Sequence, residues 1–138
     1  MEELATFDIQ FSEARNAVGI NAKGRITVDL VVNNLEKVFS STAYKTGMNA
    51  VLNLTEADLS ELIPESMTAM VTAVNRFANT PVNIKAAIVS EKSINLGMIN
   101  LFKEYYSNDK IELRVFQMLQ EAHDWIFGGT MTQDTVYN

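Results

Sequence analysis

Apolar and polar residues alternate near the start of the chain: Phe7, Ile9 and Phe11 are separated by Asp8, Gln10 and Ser12, the period of two that suits a strand with one buried face. Ala17 to Ala22 repeats the alternation with Val18 and Ile20. The polar stretch Glu13 to Asn16 is short enough for a hairpin, and Lys23-Gly24-Arg25 is expected to end the second strand. From Thr27 the period lengthens. Val28, Val31, Val32, Leu35, Val38 and Phe39 recur at helical steps while Asp29, Asn33, Glu36 and Lys37 take the other face. An amphipathic helix with Thr27 as N-cap is predicted, and because β-branched valines are modest helix formers, packing must hold it.

Asn49 to Leu54 is a short apolar run that reads as a buried strand. Asp58 and Glu61 have the spacing of a capping box, so a helical turn is predicted there. Pro64 then suits the first position of a longer helix with Met67, Met70, Val71, Val74 and Phe77 as its stripe, stopped by Asn79-Thr80-Pro81. A third unit pairs strand Ile84 to Val89 with a helix capped by Ser93 and running to about Tyr106. After the polar turn Ser107 to Lys110, strand Ile111 to Phe116 leads to a helix from Leu119 to about Phe127, closed by Gly128-Gly129. The order β-β-α-β-α-β-α-β-α predicts an α/β fold: a five-stranded mixed sheet, mostly parallel after the opening hairpin, packed with about four helices. One domain is expected over residues 1–127, with a flexible tail over 128–138 that carries no periodic pattern.

Composition narrows the class of function. With 138 residues and 47% hydrophobic content, a single core burying roughly 70% of the unfolded surface is expected. The chain has no cysteine, which removes disulfides, thiolate nucleophiles and cysteine metal sites. Seventeen acidic against eleven basic residues give a net charge of −6, which repels phosphate backbones, so no nucleic-acid partner is expected. The acidic start MEELATFDIQ is not a signal peptide, and no run approaches the ~18 apolar residues of a membrane span. A cytoplasmic protein that is not an integral membrane protein is the expectation.

Candidate chemistry is sparse. His123, the one histidine, lies within Glu121-Ala-His-Asp-Trp125 without an evident set of partners. No P-loop or glycine-rich dinucleotide fingerprint occurs at a strand-to-helix turn, and no cofactor is expected. Thr55, Glu56, Asp58, Ser60, Glu61 and Glu65 gather just past the third strand, at the sheet edge where ligands bind in open α/β folds. That cluster fits a magnesium site, a carboxylate pair or a regulated serine, and more simply acids placed to favour helix N-termini and cap free N–H groups. Met67, Met70 and Met98 fall on helix faces directed at the core, where thioethers fill gaps or line adaptable pockets. Leu96, Ile99, Leu101, Phe102, Tyr105 and Tyr106 make the third helix apolar over more than one face, an excess suited to a partner or a ligand cavity.

Gly24-Arg25-Ile26-Thr27, Ala50 to Leu54 followed by Thr55 to Leu59, Lys85 to Ser90, Ile111 to Phe116 and Glu121 to Trp125 together resemble the SpoIIAA-like bacterial proteins related to STAS domains. The resemblance spans about Thr6 to Phe127. It implies a compact STAS-like α/β sandwich and two kinds of role. In anti-sigma-factor antagonists a serine after the third strand, in an Asp-Ser-Ser/Thr-Gly-Leu type motif, is phosphorylated and switches binding to a protein partner. Here that stretch reads Ala57-Asp58-Leu59-Ser60-Glu61-Leu62: the serine is displaced, the glycine is missing, and acidic neighbours oppose an added phosphate. Lipid-transfer domains of related topology imply instead an apolar ligand between sheet and helix. The expectation is a non-enzymatic regulatory or protein-interaction module using Thr55, Glu56, Asp58, Ser60 and Glu61, with a carrier or sensor of a small apolar ligand as the alternative; Met67, Met70, Met98, Phe102 and Tyr105 are the candidate apolar face for a ligand or a partner. A homo-oligomer is compatible with either.

Overall fold

The computed structural model describes residues 5–80, 82–106 and 109–128. The expected tail, together with Pro81, Ser107, Asn108 and Gly129, lies outside the described residues apart from Gly128. β1 (Thr6–Ser12) and β2 (Ala17–Arg25) form the expected antiparallel hairpin, with Thr6 opposite Lys23 and Ser12 opposite Ala17. At its turn Asn16 adopts a φ of 55°, a region asparagine enters more readily than other side-chain-bearing residues. β3 (Asn49–Asp58), β4 (Ile84–Val89) and β5 (Ile111–Phe116) follow in parallel, and the sheet order is simply β1-β2-β3-β4-β5.

Helices α1 (Val28–Ser40), α2 (Met67–Asn75) and α3 (Ser93–Tyr105) pack against one face of the sheet and α4 (Leu119–Phe127) against the other. On the three-helix side, Ala22, Leu54 and Ile88 from the strands meet Met67, Met70 and Ile99 from α2 and α3. On the α4 side, Val51, Ala87 and Val89 meet Ala122 and Ile126. The continuous run Ala86 to Val89 is thus apolar because β4 is covered on both faces. Thr27 caps α1 as predicted, its hydroxyl accepting the Leu30 N–H at 3.3 Å. Gly128 ends α4 at a φ of 90°, where a Cβ would be strained.

Three local expectations are corrected. β2 continues through Arg25 and β3 through Asp58, because Lys23, Gly24 and Arg25 pair with Glu56, Ala57 and Asp58 after a register shift beyond Asn21. The pairing is rational: Ala57 is fully buried, while Lys23 and Glu56 form an exposed ion pair at 3.5 Å. No helical turn begins at Asp58. Its carboxylate accepts the Ser60 N–H at 2.9 Å and closes a turn two residues long instead of capping a helix. Pro64 opens a 3₁₀ turn (Pro64–Ser66) that leads into α2. Ser93 is the first residue of α3 and does not cap it: Lys92 holds the N-cap position, with the Lys92 N–H donating to the Ser90 hydroxyl at 3.4 Å.

Between the end of β3 and the start of α3 sits a buried polar tie. Asn95 is completely buried; its amide oxygen accepts the Leu59 N–H at 3.0 Å, and its amide nitrogen donates to the Ala57 carbonyl at 3.0 Å and to the Ser90 hydroxyl at 3.2 Å. The Lys92 ammonium reaches the same Ala57 carbonyl at 3.0 Å. The loop after β3 is therefore held to α3 by one side chain whose polar atoms are satisfied. Asn95→Ala leaves the buried Leu59 N–H unpaired, while the Ala57 carbonyl keeps Lys92, and a loss of roughly 2 kcal/mol is expected in urea unfolding. Wild-type stability in that variant would show that the tie contributes nothing.

Candidate functional site

The three-helix side of the sheet is not filled. An apolar cavity of about 180 Å³ lies between the sheet, from Phe7 of β1 to Leu113 of β5, and α1–α3. Its origin is visible in the side chains. In the parallel register of β3 and β4, Ala50 stands beside Ala86, so the middle of the sheet presents two methyl groups. Opposite them Met70, Phe77, Met98 and Phe102 line the same space. Long side chains on helices that bridge to one another, over small side chains on the strands, leave a gap where a lining atom has no partner. The consequence shows in accessibility: Ala50, Leu52, Ala86 and Leu113 point into the interior yet remain only partly buried. The α4 side is the contrast, with Ala87 and Ala122 both wholly buried where helix and sheet approach closely.

Among the lining residues only Asn34 is polar, and its amide donates to the Leu30 carbonyl of its own helix at 2.8 Å. An apolar cavity of ~150 Å³ accepts a benzene-sized guest, and the space here is of comparable size.

Of the side chains expected to form an apolar face, Met70, Met98 and Phe102 line the cavity. Met67 is fully buried in the adjoining core without lining it. Tyr105 does not line it and is 47% exposed at the end of α3. The chain leaves the helix immediately afterwards, and Tyr106, with extended backbone, turns inward to stack on Phe102 with ring centroids 5.8 Å apart. Ile94 is also exposed, so part of the apolar excess of α3 faces outward. Met48, which precedes β3, lines the cavity from a loop that carries no periodic signal.

Tyr106 has a second property. Its hydroxyl is buried and has no hydrogen-bond partner, whereas buried tyrosines ordinarily find one. Burial, reinforced by the Asp109 carboxylate, pushes its pKa up to about 12, so at neutral pH it is a protonated donor.

The polar cluster after β3 is spread along a strand end and a turn. Thr55, Glu56 and Asp58 belong to β3, whereas Ser60 and Glu61 follow it. Glu56 pairs with Lys23, and Glu61 lies 3.8 Å from Arg25. Hydrogen bonds from Ser60, then the nearby charges of Arg25 and Lys92, hold the exposed Asp58 carboxyl below the usual aspartate value. Among the described residues no three His, Asp or Glu side chains converge as a metal site. A phosphate on Ser60 would stand beside Asp58 and Glu61, which oppose it by charge.

No family model and no curated protein matches the chain by sequence. By structure it is similar to an uncharacterised protein of the DUF3478 family with a SpoIIAA-like fold from Shewanella loihica PV-4, with a TM-score of 0.56 and 17% identity, covering 91% of this chain and 98% of that one. The fold is thus SpoIIAA-like, as the order of motifs implied. Among the described residues no helix is long and apolar enough to cross a membrane.

His123 lies on α4, across the sheet from the cavity, with its ring centroid 5.6 Å from that of Phe127. Desolvation lowers its pKa below 6.5, the Arg15 charge acts in the same direction, and Asp124 opposes it. The unfolded chain therefore takes up this proton at higher pH than the folded one, so the His123 contribution is lost as pH falls below about 6.5 toward the folded value. Urea unfolding between about pH 5 and 8 should show stability rising with pH. The His123→Phe protein should lose part of that slope; an unchanged slope would assign it to other groups.

Proposed function

We propose that this protein is a non-enzymatic binding module that carries or senses a small apolar ligand between its sheet and α1–α3. The cavity of about 180 Å³, walled by Met70, Met98 and Phe102 over the Ala50–Ala86 floor, is the observation that carries this reading. A void of that size in a native core costs stability, roughly 24 cal/mol for each Å³ left empty, and an apolar guest recovers those contacts. Methionines suit such a wall because their flexible thioethers adapt to more than one guest shape.

Under this reading the loop after β3 is the output surface. Asn95 connects it to α3, one wall of the cavity, so a guest that shifts α3 also shifts Leu59 and the exposed Asp58-Ser60 turn. A protein partner meeting Thr55, Glu56, Asp58, Ser60 and Glu61 would thereby read occupancy. This joins the two roles expected from the sequence in one device.

The test uses toluene as an apolar probe. At about ten times its Kd, a guest that binds only the folded state stabilises it by ~1.4 kcal/mol, a rise in Tm of roughly 4 °C for a chain of this size. Ala86→Leu fills the floor and should abolish the rise while the protein remains folded. No shift in the wild type, or an equal shift in Ala86→Leu, would overturn the assignment.

A further inference from the structure

One amide interrupts the hydrocarbon wall of the cavity. In α1, Asn34 falls between Val31 and Val38 on the stripe that faces the sheet, and Val31, Asn34 and Leu35 line the cavity together. An amide at such a position is costly, because asparagine is a modest helix former and a buried polar group gives up water unless hydrogen bonds replace it. A single bond does so here. The amide nitrogen donates to the Leu30 carbonyl at 2.8 Å, and since a carbonyl can face only a donor, this contact fixes which end of the amide is nitrogen.

The Asn34 Oδ1 is the end left over, and among the described residues no group donates to it. Asn95, the other buried asparagine among them, has both ends of its amide engaged. The Asn34 oxygen is also within reach. The Tyr106 hydroxyl is the one side-chain polar atom among the described residues that is both inaccessible and unbonded, so the unbonded Asn34 oxygen is open to a small molecule, and the space that Asn34 lines is the cavity. An amide oxygen accepts and cannot donate, so a guest that uses it must bring an O–H or N–H.

The rest of the lining selects the body of the guest. Met70 and Met98 present thioethers and Phe77 and Phe102 present rings, and both make favourable contacts with an aromatic ring. We propose that the ligand is a small aromatic molecule with one hydrogen-bond donor, of the phenol or indole class, its ring over the Ala50–Ala86 floor and its O–H or N–H bonded to the Asn34 Oδ1. This rests on the carrier reading given above and names its ligand class. A plain hydrocarbon fills the same space but leaves the amide oxygen unused.

Toluene, anisole and phenol binding are to be compared by calorimetry in the wild type and in Asn34→Leu, which keeps the size of the side chain. Phenol should bind Asn34→Leu about tenfold more weakly, the effect of leaving its buried O–H without an acceptor, whereas toluene and anisole, which donate nothing, should bind both proteins alike. In the wild type itself, the NMR resonance of the Asn34 side-chain carbonyl carbon should move further with phenol than with toluene, a readout that needs no variant. Phenol binding equally well to Asn34→Leu, or moving that resonance no further than toluene does, would overturn the role of the amide. A loss of anisole equal to that of phenol would overturn the donor. Toluene binding without phenol would overturn the ligand class and leave the apolar cavity standing, whereas failure of all three probes would remove the two readings together.

Discussion

Three parallel crossovers, each stepping the same way along a sheet whose strands lie in chain order, oblige α1, α2 and α3 to share one face when every crossover is right-handed. Three neighbouring helices then pack against one another as well as on the strands, and how near they come to the sheet is set jointly. The fourth helix is alone on the other face and settles closely over Ala87 with its own Ala122. The cavity follows from this difference. Where Ala50 and Ala86 stand side by side, a single helix would move inward, but a helix held by its neighbours leaves the space open.

Whether such a space is a packing defect or a site depends on what surrounds it. Here the walls include flexible methionines, and one wall is tied by Asn95 to the turn after β3. The tie bonds to backbone on β3 and the loop, so it transmits position without requiring a change in fold. Because its polar atoms are satisfied, the tie itself is stiff, and displacement of α3 is the way it would move.

Much of this was legible in the residues. The hairpin alternation, the Thr27 cap and the Gly128 stop follow from local pattern and capping chemistry. Met70, Met98 and Phe102 were on the expected face because helical spacing alone puts them there. What local pattern missed depends on distant partners. Thr55 to Asp58 looks like a helix start until Lys23 to Arg25 pairs with it. Ala50 and Ala86 are unremarkable alanines until the register makes them neighbours. Tyr106 exchanges places with Tyr105 because the chain leaves the helix between them, a boundary that periodicity does not locate. Asn95, a polar residue inside an apolar helix pattern, was the one overlooked signal in the sequence itself.

The central claim is that the interior between Ala50, Ala86, Met70 and Phe102 is open to an apolar guest. A crystal structure of the protein under xenon pressure tests it directly, since xenon enters a dry apolar cavity of this size without chemical assistance. The account predicts a xenon atom over the alanine pair, beneath α2 and α3. A filled interior in which the helix side chains meet the two methyl groups, with no xenon between them, would contradict it.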